Sequence, residues 1–234
     1  MVSASPSAPI DDGENFVKAR RVCFGWSSRA WARPWADFVR AHPGLRVAEA
    51  LEVGAGPRSS LAPLLLGLAR RVECSAYDAA ALPAIEAMNA RRLTAEERAR
   101  VRYSRQDARA LTGCWDLIVL KSVLGGLHRV RDSSLADAHA SVRRLAARHL
   151  NPGGLLLSPL LAGAGARRNG WRFFRREELP PADERYSYGV CSIASAATRW
   201  GALGARIDDA LYLADLALTP LARQHAVYLS VYRK

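Results

Sequence analysis

The sequence predicts an α/β fold built on a doubly wound, mostly parallel sheet, and three observations carry that expectation. From Arg46 onward, apolar runs of strand length alternate with runs of helical period. The run "WDLIVLKSV" has a continuous apolar centre, the pattern of a strand buried on both faces. The stretch "EVGAGPRSS", residues 52–60, reads as strand, tight turn and helix start.

The opening residues "MVSASPSAPIDDGEN" have neither a basic start nor an apolar stretch. They read as a flexible lead-in over 1–15, and a cytoplasmic location is expected. Residues 16–44 form a helical cap, because Trp31, Trp35, Phe38 and Val39 recur at i, i+4, i+7 and i+8. His42-Pro43-Gly44 ends that helix.

The main domain spans 45–234. "RVAEALEV" is its first strand, and "SSLAPLLLGLARR" a helix capped by Ser59 or Ser60 with Pro63 in its first turn. "VECSAY" is the second strand and "AALPAIEAMNARRL" the second helix. "TAEERAR" adds a short helical piece in which Thr94 and Glu97 have capping-box spacing. "VRYSR" and "WDLIVLKSV" are the third and fourth strands. The helix "LADAHASVRRLAARHL" follows, and "NPGG" leads into the fifth strand, "LLLSPLL". Right-handed crossovers make this succession a parallel sheet. At the end, "RIDDALYLADLA" and "HAVYLSVYRK" are joined only by "LTPLARQ", so an antiparallel pair is expected there.

Composition narrows the function. With 234 residues, 50% of them hydrophobic, the chain can bury a full core, which excludes disorder throughout. Its longest apolar runs are short or broken by Pro and Gly, which argues against a membrane span. Cys23, Cys74, Cys114 and Cys191 show no metal-ligand spacing, so reduced thiols and no metal are expected. The net charge of +12 is almost wholly arginine, scattered without a long run. That pattern favours a solvated basic surface and keeps a nucleic-acid partner as the alternative.

Ligands of such sheets lie over the carboxyl ends of the strands, where the order reverses, and the glycine turn sits there. Glu52 before the turn would repel a pyrophosphate and attract an ammonium or sulfonium. After Gly54 and Gly56 the third glycine of a dinucleotide fingerprint is missing.

In these features the chain resembles the class I S-adenosylmethionine (SAM)-dependent methyltransferases. "EVGAG" resembles their first motif, "QDARAL" the segment after the third strand, "WDLIVLKSVLGGLHR" the fourth-strand motif and "LNPGGLLL" the turn into the fifth strand. The resemblance covers Arg46 to about Leu161, and the tail is similar to the family's antiparallel seventh strand. It implies a Rossmann-like seven-stranded sheet, mostly parallel with an antiparallel C-terminal strand, under an N-terminal helical lid. It also implies SAM as cofactor, held by Glu52, Gly54, Ala55, Gly56 and Arg58 at the turn. Asp78 with Ala79 would meet the ribose, Asp107 with Ala108 the adenine, and Lys121 and Ser122 the cofactor or acceptor.

On the acceptor side, His128, Tyr186 and Tyr188 are candidate bases or orienting hydroxyls. The loop "ARRNGWRFFRREELPPADERYSYG" and the Trp-rich helix would form a lid over the acceptor, with Trp26 and Trp31 lining it. Arg172, Arg175 and Arg176 would hold an anionic group on it. The leading expectation is O- or N-methylation of a small molecule, of the kind found in specialised metabolism. RNA-directed methylation and a non-catalytic partner that keeps the fold are the alternatives.

Overall fold

The structure, a computed structural model, describes residues 28–56, 60–121, 123–129, 132–163, 172, 174, 176–190 and 225–234. Helix α1 (Ser28–Ala41) precedes β1 (Val47–Val53), and one helical turn, α2 (Ala62–Leu65), leads to β2 (Ala69–Ala76). Helices α3 (Leu82–Ala90) and α4 (Ala95–Ala99) carry the chain to β3 (Val101–Arg105). Then come β4 (Trp115–Val119), α5 (Val123–Leu127), α6 (Leu135–His149), β5 (Leu150–Gly163), β6 (Glu184–Val190) and β7 (His225–Arg233).

The seven strands form one sheet in the order β3-β2-β1-β4-β5-β7-β6. Strands β1 to β5 pair in parallel, and β7 runs antiparallel between β5 and β6. Because side chains alternate across a strand, the central strands feed two cores. Ala50, Val72, Leu117 and Leu157 pack with Phe38, Leu65 and Ile85 on one face. Leu51, Ile118 and Leu156 pack with Leu124, Val142 and Phe174 on the other. At the amino ends, the Asp116 carboxylate accepts from the Ala48 and Glu49 amides and from Asn151 Nδ2, tying β4 to β1 and β5.

Two expectations are corrected. The helix expected to run on through "LARR" stops after one turn, since β2 starts at Ala69, in register with Val47. Arg100 takes the carbonyls left at that stop, donating to Leu66, Ala69 and Arg70. The partner of β7 is Glu184–Val190, a stretch read from sequence as loop. The expected strand "RIDDALYLADLA" lies outside the described residues. The capping box of Thr94 and Glu97 is present, and a second one, Ser134 with Asp137, opens α6.

Helix α1 covers β6 and β7. Phe38 is fully buried and meets the Tyr186 ring edge-on at 5.9 Å. Its foot is pinned where Glu184 accepts from Arg233 and Tyr186 and lies 3.3 Å from His42 Nε2. No helix among the described residues is long and apolar enough to cross a membrane.

Glu73 on β2 is a buried carboxylate satisfied on every side. Arg102 forks onto it from Nη2 at 2.6 Å and Nε at 3.1 Å, Trp115 Nε1 donates at 3.1 Å, and Ser104 and Gln106 complete the set. Burial alone would raise this carboxyl, but the hydrogen bonds from Ser104, Arg102 and Gln106 outweigh it and hold it below the usual carboxylate range. Its stabilising contribution is therefore present above the unfolded-state value of about 4.3 and fades as pH falls through the lower folded value. Glu73→Gln should cost about 1.5–3 kcal/mol at neutral pH, the worth of charge-assisted hydrogen bonds. Urea midpoints at pH 7 and pH 3 check this: the gap between the two proteins should shrink in acid, and an unchanged gap would remove the ionised form from the account.

Candidate active site

At the carboxyl edge the sheet order sets four positions side by side: the tips of β3, β2, β1 and β4. The glycine turn follows β1. Gly54 has a φ of +73°, in the region only glycine adopts without strain, and a Cβ there would stand 2.6 Å from Val123 Cγ2. The start of α5 thus packs directly on the turn. The Ala55 amide donates to the Ser75 carbonyl at 2.8 Å, fixing the turn to β2. Gly56 ends the described part of the turn, whereas Pro57, Arg58, Ser59 and Ser122 lie outside the described residues.

Glu52 is fully buried, and its carboxylate points to the chain beyond the turn. Oε2 accepts from Ser60 Oγ at 2.7 Å and Oε1 from the Leu61 amide at 2.8 Å. Ser60 Oγ also accepts from the Ala62 amide and from Asn89 Nδ2. These contacts make Glu52 an anchor of the loop beyond the turn. Burial pushes its carboxyl up, against the hydrogen bonds from Ser60 and Leu61 and the charge of Lys121. Lys121, at the tip of β4, is itself buried. Burial brings its ammonium down to about 8, although the charge of Glu52 opposes the shift.

The tip of β2 carries Tyr77, Asp78 and Ala79, all exposed. Asp78 Oδ1 accepts from the Ala80 amide at 2.9 Å and caps a 3₁₀ turn over Ala79–Ala81, while Oδ2 accepts no hydrogen bond from a described residue. Past β3, Asp107 Oδ1 accepts from the Arg109 amide at 2.9 Å and from its Nε at 3.1 Å, and Oδ2 from its Nη2 at 3.2 Å. Burial would raise the Asp107 carboxyl, but the Arg109 hydrogen bonds and charge hold it below its ordinary value. The same guanidinium stands 5.7 Å from the centre of the Tyr77 ring. Ala108 is buried in the core that holds Leu51 and Ile118.

The acceptor-side candidates that the structure describes lie in separate places. His128 has both ring nitrogens on hydroxyls, Nδ1 at 3.1 Å from Ser133 Oγ and Nε2 at 2.8 Å from Ser141 Oγ, and burial lowers its pKa. It pins the end of α5 to α6. Arg172 donates its Nε to the His128 carbonyl at 3.0 Å and its Nη2 to that of Ser133, so its guanidinium is spent on the backbone. The Tyr186 hydroxyl donates to Glu184 Oε2 at 2.6 Å, and burial together with that carboxylate pushes its pKa up to about 12. Tyr186 belongs to the pin under α1. Trp26 and Arg175 lie outside the described residues, as do the side chains of Trp31, Arg176 and Tyr188.

Sequence reasoning missed three participants: Arg109, Tyr77 and Gly125. A Cβ on Gly125 would fall 2.3 Å from the Arg172 carbonyl oxygen, and the Arg172 amide donates to the Gly125 carbonyl at 3.0 Å. The chain beyond β5 is thus laid on α5 at backbone distance. The double glycine of "VLGGL" was the available signal.

A sheet of order 3-2-1-4-5-7-6 with an antiparallel seventh strand, and a glycine turn after β1, is the fold of the class I SAM-dependent methyltransferases. Particular solved structures share it. The chain is similar to the N-methyltransferase NodS from Bradyrhizobium japonicum WM9 in complex with S-adenosyl-l-homocysteine (SAH), with a TM-score of 0.55 and 15% identity over 89% of this chain and 88% of that one. It is also similar to coclaurine N-methyltransferase bound to N-methylheliamine and SAH, with a TM-score of 0.54 and 9% identity over 86% of this chain and 71% of that one. The [4+2]-cyclase SpnF matches with a TM-score of 0.53 and 16% identity over 85% of this chain and 79% of that one. No family model and no curated protein matches the chain. At these identities the likeness establishes the fold, and function must be argued from the site.

Proposed function

We propose that the chain is a SAM-dependent methyltransferase acting on an O or N atom of a small-molecule acceptor. The observation that carries this reading is the row of groups across the carboxyl edge: Asp107, Asp78 and the Gly54–Gly56 turn on the adjacent strands β3, β2 and β1. The residues fit the cofactor by the chemistry of their donors and acceptors. Asp78 offers an exposed carboxylate oxygen to a diol, Asp107 an acceptor to an amino group, and the turn brings backbone close to a ligand where side chains would obstruct it.

SAM, when bound, supplies a methyl carbon activated by its sulfonium. The chain's own part is to orient the acceptor in line, exclude water and receive the acceptor's proton. Lys121, just past the end of β4, would stand against the cofactor or acceptor. The likeness to two N-methyltransferases, NodS and coclaurine N-methyltransferase, supports methyl transfer, and a small-molecule acceptor in specialised metabolism is part of the proposal. The likeness to SpnF supports a second reading, a chain of this fold whose reaction is not methyl transfer.

Calorimetric titration with SAM and SAH tests the proposal. Dissociation constants in the micromolar range are expected, about −8 kcal/mol. Asp78→Ala should weaken SAH about tenfold with the melting temperature unchanged, since the exposed carboxylate supports little besides a short turn. Absence of binding by the unaltered protein would overturn the reading. Binding without conversion of SAM to SAH across an acceptor panel would favour the second reading.

A further inference from the structure

The pair Arg109 and Asp107 has a consequence for which ligands the edge accepts, and it rests on the reading just proposed. Asp107 is the acceptor assigned to an amino group, yet Arg109 already fills it. Nε and Nη2 fork across both carboxylate oxygens, and the Arg109 amide adds a third donor to Oδ1. A forked guanidinium is the strongest ordinary partner of a carboxylate, so a neutral amino group does not displace it without loss. The guanidinium also reaches from the loop after β3 to the ring of Tyr77, the residue before Asp78 past the end of β2. Its hold is limited, because Arg109 is 52% exposed and Asp107 32% exposed.

We infer that Arg109 is a specificity-determining residue that competes with the ligand's base for Asp107. A bare carboxylate favours a base bearing an amino group and repels one bearing a carbonyl oxygen at the same place. A carboxylate neutralised by its own arginine discriminates weakly between them. Arg109 therefore lowers affinity for an adenine-bearing ligand and narrows the difference between adenine and its deaminated counterpart.

The experiment compares SAH with S-inosylhomocysteine, which differ at position six by amino against oxo and at the adjoining N1 by a lone pair against N–H, on the full chain and on Arg109→Ala and Arg109→Gln. Because a half-exposed ion pair is weak, SAH should bind both variants about three- to fivefold tighter. S-inosylhomocysteine should gain nothing, so the preference for SAH widens by the same factor. A lone structural role for Arg109 would not move that ratio. Salt gives an independent reading: SAH affinity of the unaltered protein should rise with ionic strength as the pair is screened, and that of the variants should not. Unchanged or weaker SAH binding by both variants, with melting temperatures intact, would overturn this inference alone. No SAH binding by any of the three proteins would overturn the methyltransferase reading and this inference with it.

Discussion

Gly125→Ala should lower stability by about 3 kcal/mol, at the upper end of what overpacking costs. The added Cβ would stand 2.3 Å from the Arg172 carbonyl oxygen and 3.4 Å from its carbon, both backbone atoms that cannot turn aside as a side chain end can. The strap at Arg172 would have to lift. Lifting it would stretch the hydrogen bond from the Arg172 amide to the Gly125 carbonyl, pull the guanidinium from the His128 and Ser133 carbonyls, and disturb Phe174, which is buried in the same core as Leu124. Urea midpoints measure the loss, with Gly44→Ala as control, since nothing lies within 4 Å of a Cβ there. The control should stay within about 0.5 kcal/mol of the unaltered protein. Equal midpoints for the two variants would mean that the strap does not bear on α5 in solution.

Glu52→Ala should be at least as damaging, at about 3–5 kcal/mol, the cost of breaking a buried charged arrangement by removing one member. Ser60 Oγ and the Leu61 amide would lose their acceptor inside the core, and the buried Lys121 would lose the charge that opposes its desolvation. Glu52→Gln separates these effects. Its carbonyl can still accept from Leu61, so it should cost about half as much while still removing the charge. Denaturation curves for the two variants, followed by SAH titration of whichever folds, would show whether the loop beyond the turn keeps its shape. If alanine is no worse than glutamine, the hydrogen bonds to Ser60 and Leu61 are not what holds the loop.

The βαβ alternation and the glycine turn were legible because each depends on local periodicity or on one residue's backbone freedom. Asp78 and Asp107 were legible as acids just past strand ends, and both do stand at the carboxyl edge. The strand β6 was not legible, since Pro180-Pro181 and the charges around Glu184 read as loop, and only pairing with β7 makes it a strand. The leucine run after Leu61 read as a full helix, but the register of Ala69 against Val47 ends it early, a tertiary demand overriding local preference. In the site, the residues were easier to find than their partners. Nothing in "QDARAL" indicates that Arg109 turns back on Asp107, nor does "LGGLHR" indicate that Ser133 and Ser141 engage both nitrogens of His128. Contacts that join separate loops leave no period in the chain.

The place of β7 between β5 and β6 has a consequence for the chain while it is being made. β5 is complete at Gly163 with β4 on one edge, but the partner of its other edge, β7, begins only at His225, roughly sixty residues later. At about 5 to 20 residues per second, the growing chain carries β5 with an unpaired edge for several seconds. An unpaired, apolar edge is a template for pairing with a neighbouring nascent chain. Pro159 sits in the middle of β5, opposite the future Leu229, but Leu157 turns its carbonyl to the Leu120 amide, so by strand alternation the N–H that Pro159 lacks belongs to the β4 side and not to the waiting edge. The waiting edge therefore keeps its donors exposed until the chain from His225 arrives to take them.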